Sequence, residues 1–173
     1  QGIGGTALSS YGIYSRKLKT PVKRVMIRRN MESIRLTSHK QHLRLLGILE
    51  KRTRTIEIVQ ICGADLDKPL IKAAMPFLIK KERVNKWHGT KQGGRGSLKF
   101  TISADDAFFH HLRRYEGFFR SMTDENGFGS VRETDFGLDD ITFLDSGGAV
   151  LFFTTTHEGY AYIAPELARE LNG

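Results

Sequence analysis

The sequence predicts an α+β fold, on three observations. Helical spacing of apolar residues dominates 39–81 and returns over 108–122. Apolar and polar residues alternate beside glycine turns over 97–103, 141–154 and 160–163, as strands do. Charge is split along the chain: residues 1–100 carry 22 Lys/Arg against 6 Asp/Glu, and residues 101–173 carry 5 against 13. With 173 residues, 39% of them hydrophobic, the chain can bury one core and carry a small appendage. On these grounds it divides into a basic arm (1–37), a helix-and-ribbon domain (38–103) and an acidic α+β module (104–173).

The arm comes first. The first 31 residues contain no acid, while Arg16, Lys17, Lys19, Lys23, Arg24, Arg28 and Arg29 are basic. Gly2, Gly4 and Gly5 loosen its start. The profile suits an arm that orders on phosphate. It equally suits a solvated tail with one short strand through 22–27, and less well an organelle transit segment. No apolar stretch of secretory type follows the charges.

The second segment opens with Ser38 as an N-cap for a helix over 39–51, with Leu43, Leu46, Ile48 and Leu49 on its apolar face. Arg54–Cys62 reads as a second helix opened by Thr55-Ile56, or as a buried strand, because Ile56, Ile58, Val59 and Ile61 are β-branched. Asp67 can cap a third helix with Pro69 in its first turn, where the missing N–H costs nothing. Leu70, Ile71, Ala74, Phe77 and Leu78 form its apolar face, and Pro76 should kink or split it. Val84 and Trp87 then lead through Lys91-Gln92-Gly93-Gly94-Arg95-Gly96 into the alternating run Ser97–Ser103, a β-ribbon with a basic glycine tip.

This order over 39–103 resembles the winged helix-turn-helix family of DNA-binding regulators. The carriers are Thr55-Ile56, the turn Gly63-Ala64-Asp65, Leu66–Lys81 as recognition helix, Leu78 with Val84, and Lys91–Ser97 as the wing. The resemblance implies a winged helix-turn-helix core whose third helix enters the major groove while the wing reaches the backbone or minor groove. Lysines on a groove helix neutralise phosphates independently of any family. The expected DNA contacts are Arg54, Lys68, Lys72, Lys80, Lys81, Lys86, Lys91, Arg95 and Lys99.

Past the ribbon, Ser103 and Asp106 resemble a capping box. Phe108, Leu112, Tyr115, Phe119 and Met122 then predict one long amphipathic helix, packed on its own domain or forming a homodimer seam. Thr123–Gly129 is a loop. Asp145-Ser146-Gly147-Gly148 joins two strands, His157-Glu158-Gly159 turns into Tyr160–Ile163, and Pro165 starts a terminal helix. This small antiparallel module suits dimerisation, sensing or partner docking.

Several chemistries lack their residues. One cysteine, Cys62, allows neither an internal disulfide nor a multi-cysteine zinc site, and reads as a small core residue. Gly93-Gly94-Arg95-Gly96 lacks the Lys-Ser/Thr of a phosphate loop. His110 and His111 are adjacent and face different sides of a helix. His157 with Glu158 has no third ligand at a suggestive spacing. Asp135, Asp139, Asp140 and Asp145 could gather as a nuclease-type metal cluster, or serve as solvated loop acids.

The expectation is therefore a DNA-binding regulator with double-stranded DNA as partner, a homodimer, no cofactor and no catalytic or metal site. It belongs in the cytoplasm or on the nucleoid, with an organelle matrix as the other compartment. No apolar run reaches the roughly 20 residues of a membrane helix, so no membrane partner is expected. The rival readings are an RNA-associated ribosomal or processing protein, a metal-dependent nuclease, and a toxin- or immunity-type interaction protein.

Overall fold

The computed structural model describes residues 31–36, 38–61, 66–118, 120–123, 129–133, 139–156 and 159–173. Residues 1–30 and Thr37 of the basic arm, Cys62, the turn Gly63-Ala64-Asp65, Phe119, most of the 123–129 loop, Asp135 and the His157-Glu158 pair lie outside them.

The architecture is mixed α+β, built on one seven-stranded antiparallel sheet. Strand β1 (Glu32–Ile34) precedes helix α1 (His39–Glu50) and strand β2 (Thr55–Gln60). Helix α2 (Pro69–Ala74) passes through a 3-10 turn (Met75–Phe77) straight into β3 (Leu78–Val84). Two short strands, β4 (Lys86–Trp87) and β5 (Thr90–Lys91), make a ribbon before β6 (Ser97–Ser103). Then come α3 (Asp106–Leu112), the hairpin β7 (Arg120–Thr123) and β8 (Gly129–Glu133), β9 (Asp139–Leu144), β10 (Val150–Thr155), β11 (Tyr160–Ile163) and α4 (Pro165–Asn172). The sheet order is β1-β11-β10-β9-β2-β6-β3, so β2 lies inside it and β3 on one edge. The sheet crosses residue 103, because β9 bonds to β2 along its whole length.

Two elements of the winged-helix expectation take another form. The isoleucine-rich stretch is strand β2, not a second helix. It pairs Ile58 with Phe100 on one side and with Ile141 on the other. β-Branched side chains lose little on a pleated surface, and flanking strands on both sides satisfy the whole backbone. The expected recognition helix ends early. Pro76 cannot donate to an α-helical ladder, so α2 stops at Ala74 and the chain turns extended at Leu78, with φ −64° and ψ 122°. Lys80 and Lys81 are thus strand residues, and no helix-turn-helix forms over 39–81 among the described residues.

The long carboxy-terminal helix is also shorter than predicted. Asp105, rather than Ser103, caps α3 by accepting from the Ala107 N–H at 2.9 Å. The helix ends at Leu112, and Met122 belongs to β7. Asp67 does not cap α2, whose N-cap is Lys68 with no side-chain bond to the helix. Three further local expectations stand. Ser38 caps α1, accepting from the Gln41 N–H at 3.3 Å. The Asp145 turn joins β9 to β10, and Pro165 opens α4.

All four helices lie in one layer, where α1 packs on α3 and α4, and α2 packs on α3. Strand alternation gives that layer Ile56, Ile58, Phe100, Ile102, Phe143 and Phe152, all fully buried. Leu45, Leu46 and Leu49 of α1 press on them with Phe108, Phe109 and Leu112 of α3. Leu43 falls off this face and is exposed. No helix is long and apolar enough to cross a membrane among the described residues.

Candidate nucleic-acid interface

The opposite face of the sheet carries Glu57, Val59, Lys99, Asp140, Thr142 and Phe153 by the same alternation. The β4–β5 ribbon folds over this face. Trp87 is buried there and donates its indole N–H to Asp140 Oδ2 at 2.7 Å. The second Asp140 oxygen accepts from the Thr156 N–H at 2.6 Å. At the ribbon turn, Gly89 has φ +77°, and an added Cβ would stand 2.6 Å from Thr155 and 2.8 Å from Phe153. Only a glycine allows that approach.

Alternation then fixes the outer side of the ribbon. Trp87 pairs with Thr90 towards the sheet, and Lys86 pairs with Lys91 away from it, both exposed. The Gln92 N–H bonds to the Asn85 carbonyl at 2.8 Å and closes the ribbon base. Beyond it, Gly94 and Gly96 take φ of +79° and +74° on either side of exposed Arg95. Arg83, near the end of β3, donates to the Gly96 carbonyl at 3.3 Å and remains exposed. Arg83, Lys86, Lys91 and Arg95 thus meet around one ribbon, and none is ion-paired among the described residues.

The expected contacts divide accordingly. Lys86, Lys91 and Arg95 come together on the ribbon and its tip. Lys80 and Lys81 continue along edge strand β3, where Lys80 pairs with Glu82 at 2.6 Å and the Lys81 ammonium lies 5.4 Å from the Phe100 ring centre. Lys99 is already occupied, 2.8 Å from Glu57 and 3.3 Å from Glu82. Burial opposes its charge, but the two carboxylates outweigh burial and hold its ammonium above the usual lysine range. Lys68 pairs with Asp139 at 3.1 Å, and Lys72 pairs with Asp67 at 3.0 Å. Arg54 precedes β2 at the end of the sheet marked by Ser103, whereas the ribbon leaves from the end marked by Ser97. Those ends are roughly 20 Å apart at the usual strand rise. Arg83 was missed in the sequence; its cue was its place in the strand leading into the ribbon.

Among the described residues the acids do not converge. Asp139 and Asp140 are consecutive on β9 and point to opposite faces. Asp145 Oδ1 is engaged in its own turn by the Gly147 and Ala149 N–H groups. Among the described residues no three His, Cys, Asp or Glu side chains are placed to hold a metal. Burial raises the Asp139 carboxyl above the ordinary range, against the pull of Lys68.

One more group faces the ribbon. His88, at its turn, has Nδ1 3.9 Å from Glu57 Oε2 and its ring 6.0 Å from that of Phe153. Burial lowers its pKa, Glu57 pulls the other way and Lys99 adds to the lowering.

Fold and site together define an α+β protein with helices on one sheet face and a cationic ribbon pinned to the other. Comparisons with protein-family models, with curated proteins and with solved structures found no match to the chain.

Proposed function

We propose that this is a nucleic-acid-binding protein that grips the phosphate backbone of double-stranded DNA with the ribbon at 83–96. The observation that carries the reading is the direct pairing of Lys86 with Lys91. Like charges opposite each other on a ribbon are destabilising. With Arg83 and Arg95 beside them, they form a site whose repulsion an incoming polyanion relieves. An antiparallel ribbon is also narrow enough to lie along a groove of B-form DNA.

Duplex is favoured over single strands by where the aromatic rings lie. Single-strand binders offer exposed rings for bases to stack on. Here the ribbon's own indole, Trp87, is buried against the sheet, and the exposed Tyr160 stands on β11 rather than on the ribbon. The basic arm would add phosphate contacts, and the regulatory role expected from the sequence rests on the same binding.

A salt titration of a short random duplex tests the reading. The slope of log K against log salt should fall by about 1 for each of Lys86, Lys91 and Arg95 changed to glutamine. Lys68→Gln should leave it unaltered, since Lys68 is held by the buried Asp139. Unchanged slopes in the ribbon variants would reject the assignment. Tighter binding to single-stranded RNA in the same series would move it to the RNA-associated class.

A further inference from the structure

We infer that Asp140 is a positioning residue for the cationic ribbon, acting through the indole N–H of Trp87; the inference rests on the proposed nucleic-acid reading for its functional consequence. Asp140 does not face solvent, being 1% exposed, so it meets no ligand itself. It sits on β9, inside the sheet and bonded to both β10 and β2. Its two oxygens take two different donors, the Thr156 backbone N–H and the Trp87 side chain. The first fixes the carboxylate to the end of β10, and the second transfers that fixed position to the ribbon. The ribbon needs such an anchor. It has only two residues per strand, far short of what a hairpin requires to hold its own shape. Its Lys86 and Lys91 also repel each other, which favours opening.

An asparagine cannot replace Asp140. It would offer one acceptor and one amide donor where two donors converge. A phenylalanine at 87 keeps the apolar packing and removes one donor without changing the charge.

The experiment is a double-mutant cycle of Trp87→Phe and Asp140→Ala, read as duplex affinity across a salt series in the full chain. Each single variant should weaken binding about tenfold. The double variant should be no weaker than Asp140→Ala, because either change breaks the same link. The Trp87→Phe salt slope should match that of the unaltered protein, since no phosphate contact is lost. Trp87 is the only tryptophan in the chain, so its emission reports the ribbon directly. Asp140→Ala and Asp140→Asn should both shift that emission to the red and raise its quenching by acrylamide several-fold.

Additive losses in the cycle would overturn the inference, as would unchanged emission in a folded Asp140→Ala protein. Should Asp140→Ala fail to fold, Trp87→Phe decides alone: wild-type affinity rejects the role, and a weaker affinity at constant slope supports it. Should the unaltered protein not bind duplex DNA, the proposed function fails, while the emission measurements still judge the anchor.

Discussion

Lys86 and Lys91 are register partners on a two-stranded ribbon, both exposed and, among the described residues, with no acid bridging them. A protein selected for stability alone would place opposite charges or a threonine pair at this position. Lys86→Thr should therefore raise the stability of the free protein by a few tenths, up to about 1 kcal/mol. The same change should weaken duplex binding. Opposite signs of the two effects, read by thermal melts and by titration, are the mark of a site kept for binding. A loss in both would make Lys86 a structural residue.

Gly96 sets where Arg95 stands. Its φ is +74°, and an added Cβ would lie 2.3 Å from Asn85 Oδ1 and 2.9 Å from the Val84 carbonyl oxygen. The asparagine can swing away, but the backbone oxygen cannot. Gly96→Ala should cost about 1–3 kcal/mol and weaken binding with it. Gly93→Ala is the control, because nothing stands within 4 Å of its added Cβ. Equal stability of the two variants in chemical denaturation would contradict this account of the tip.

His88 predicts a pH dependence with a definite sign. Burial between ribbon and sheet holds its pKa below the ordinary histidine value of 6.5 in the folded state. Between the folded and unfolded values the unfolded chain binds more protons, so acid favours unfolding. The stability tied to neutral His88 is complete above about pH 6.5 and is lost as pH falls through the lower folded value. His88→Gln should flatten the melting temperature against pH over that interval. Parallel profiles for the variant and the unaltered protein would show that His88 titrates without strain.

The sequence made some elements readable because their signals are local. Ser38 before an apolar face, Pro165 at a helix start and the Asp145 turn with Gly147-Gly148 each act within a few residues. Ile56–Ile61 was ambiguous for a physical reason. Covered by helices on one face and by the ribbon side on the other, β2 buries Ile56, Ile58, Val59 and Gln60, so polar alternation is largely lost. The residues of α2 and β3 share one helical spacing through Leu70, Ala74 and Leu78, yet Pro76 breaks the ladder between them. The ribbon lysines were visible as charge. Their pairing was not, because it depends on the register of Trp87 with Thr90. The Trp87–Asp140 link was beyond reach, joining residues 53 positions apart that no periodicity connects.

The order β9-β2-β6 imposes a schedule on folding. During synthesis Thr55–Gln60 leaves the ribosome and can meet Ser97–Ser103 early, but Ile58 must wait for Ile141 to complete its second ladder. Until then one side of an isoleucine-rich strand stays open, the kind of surface that nascent chains pair wrongly. Sheets closed by such distant partners assemble slowly. Production of this protein should accordingly depend on how long that half-built sheet is shielded, and on growth temperature, more than on the stability of the finished molecule.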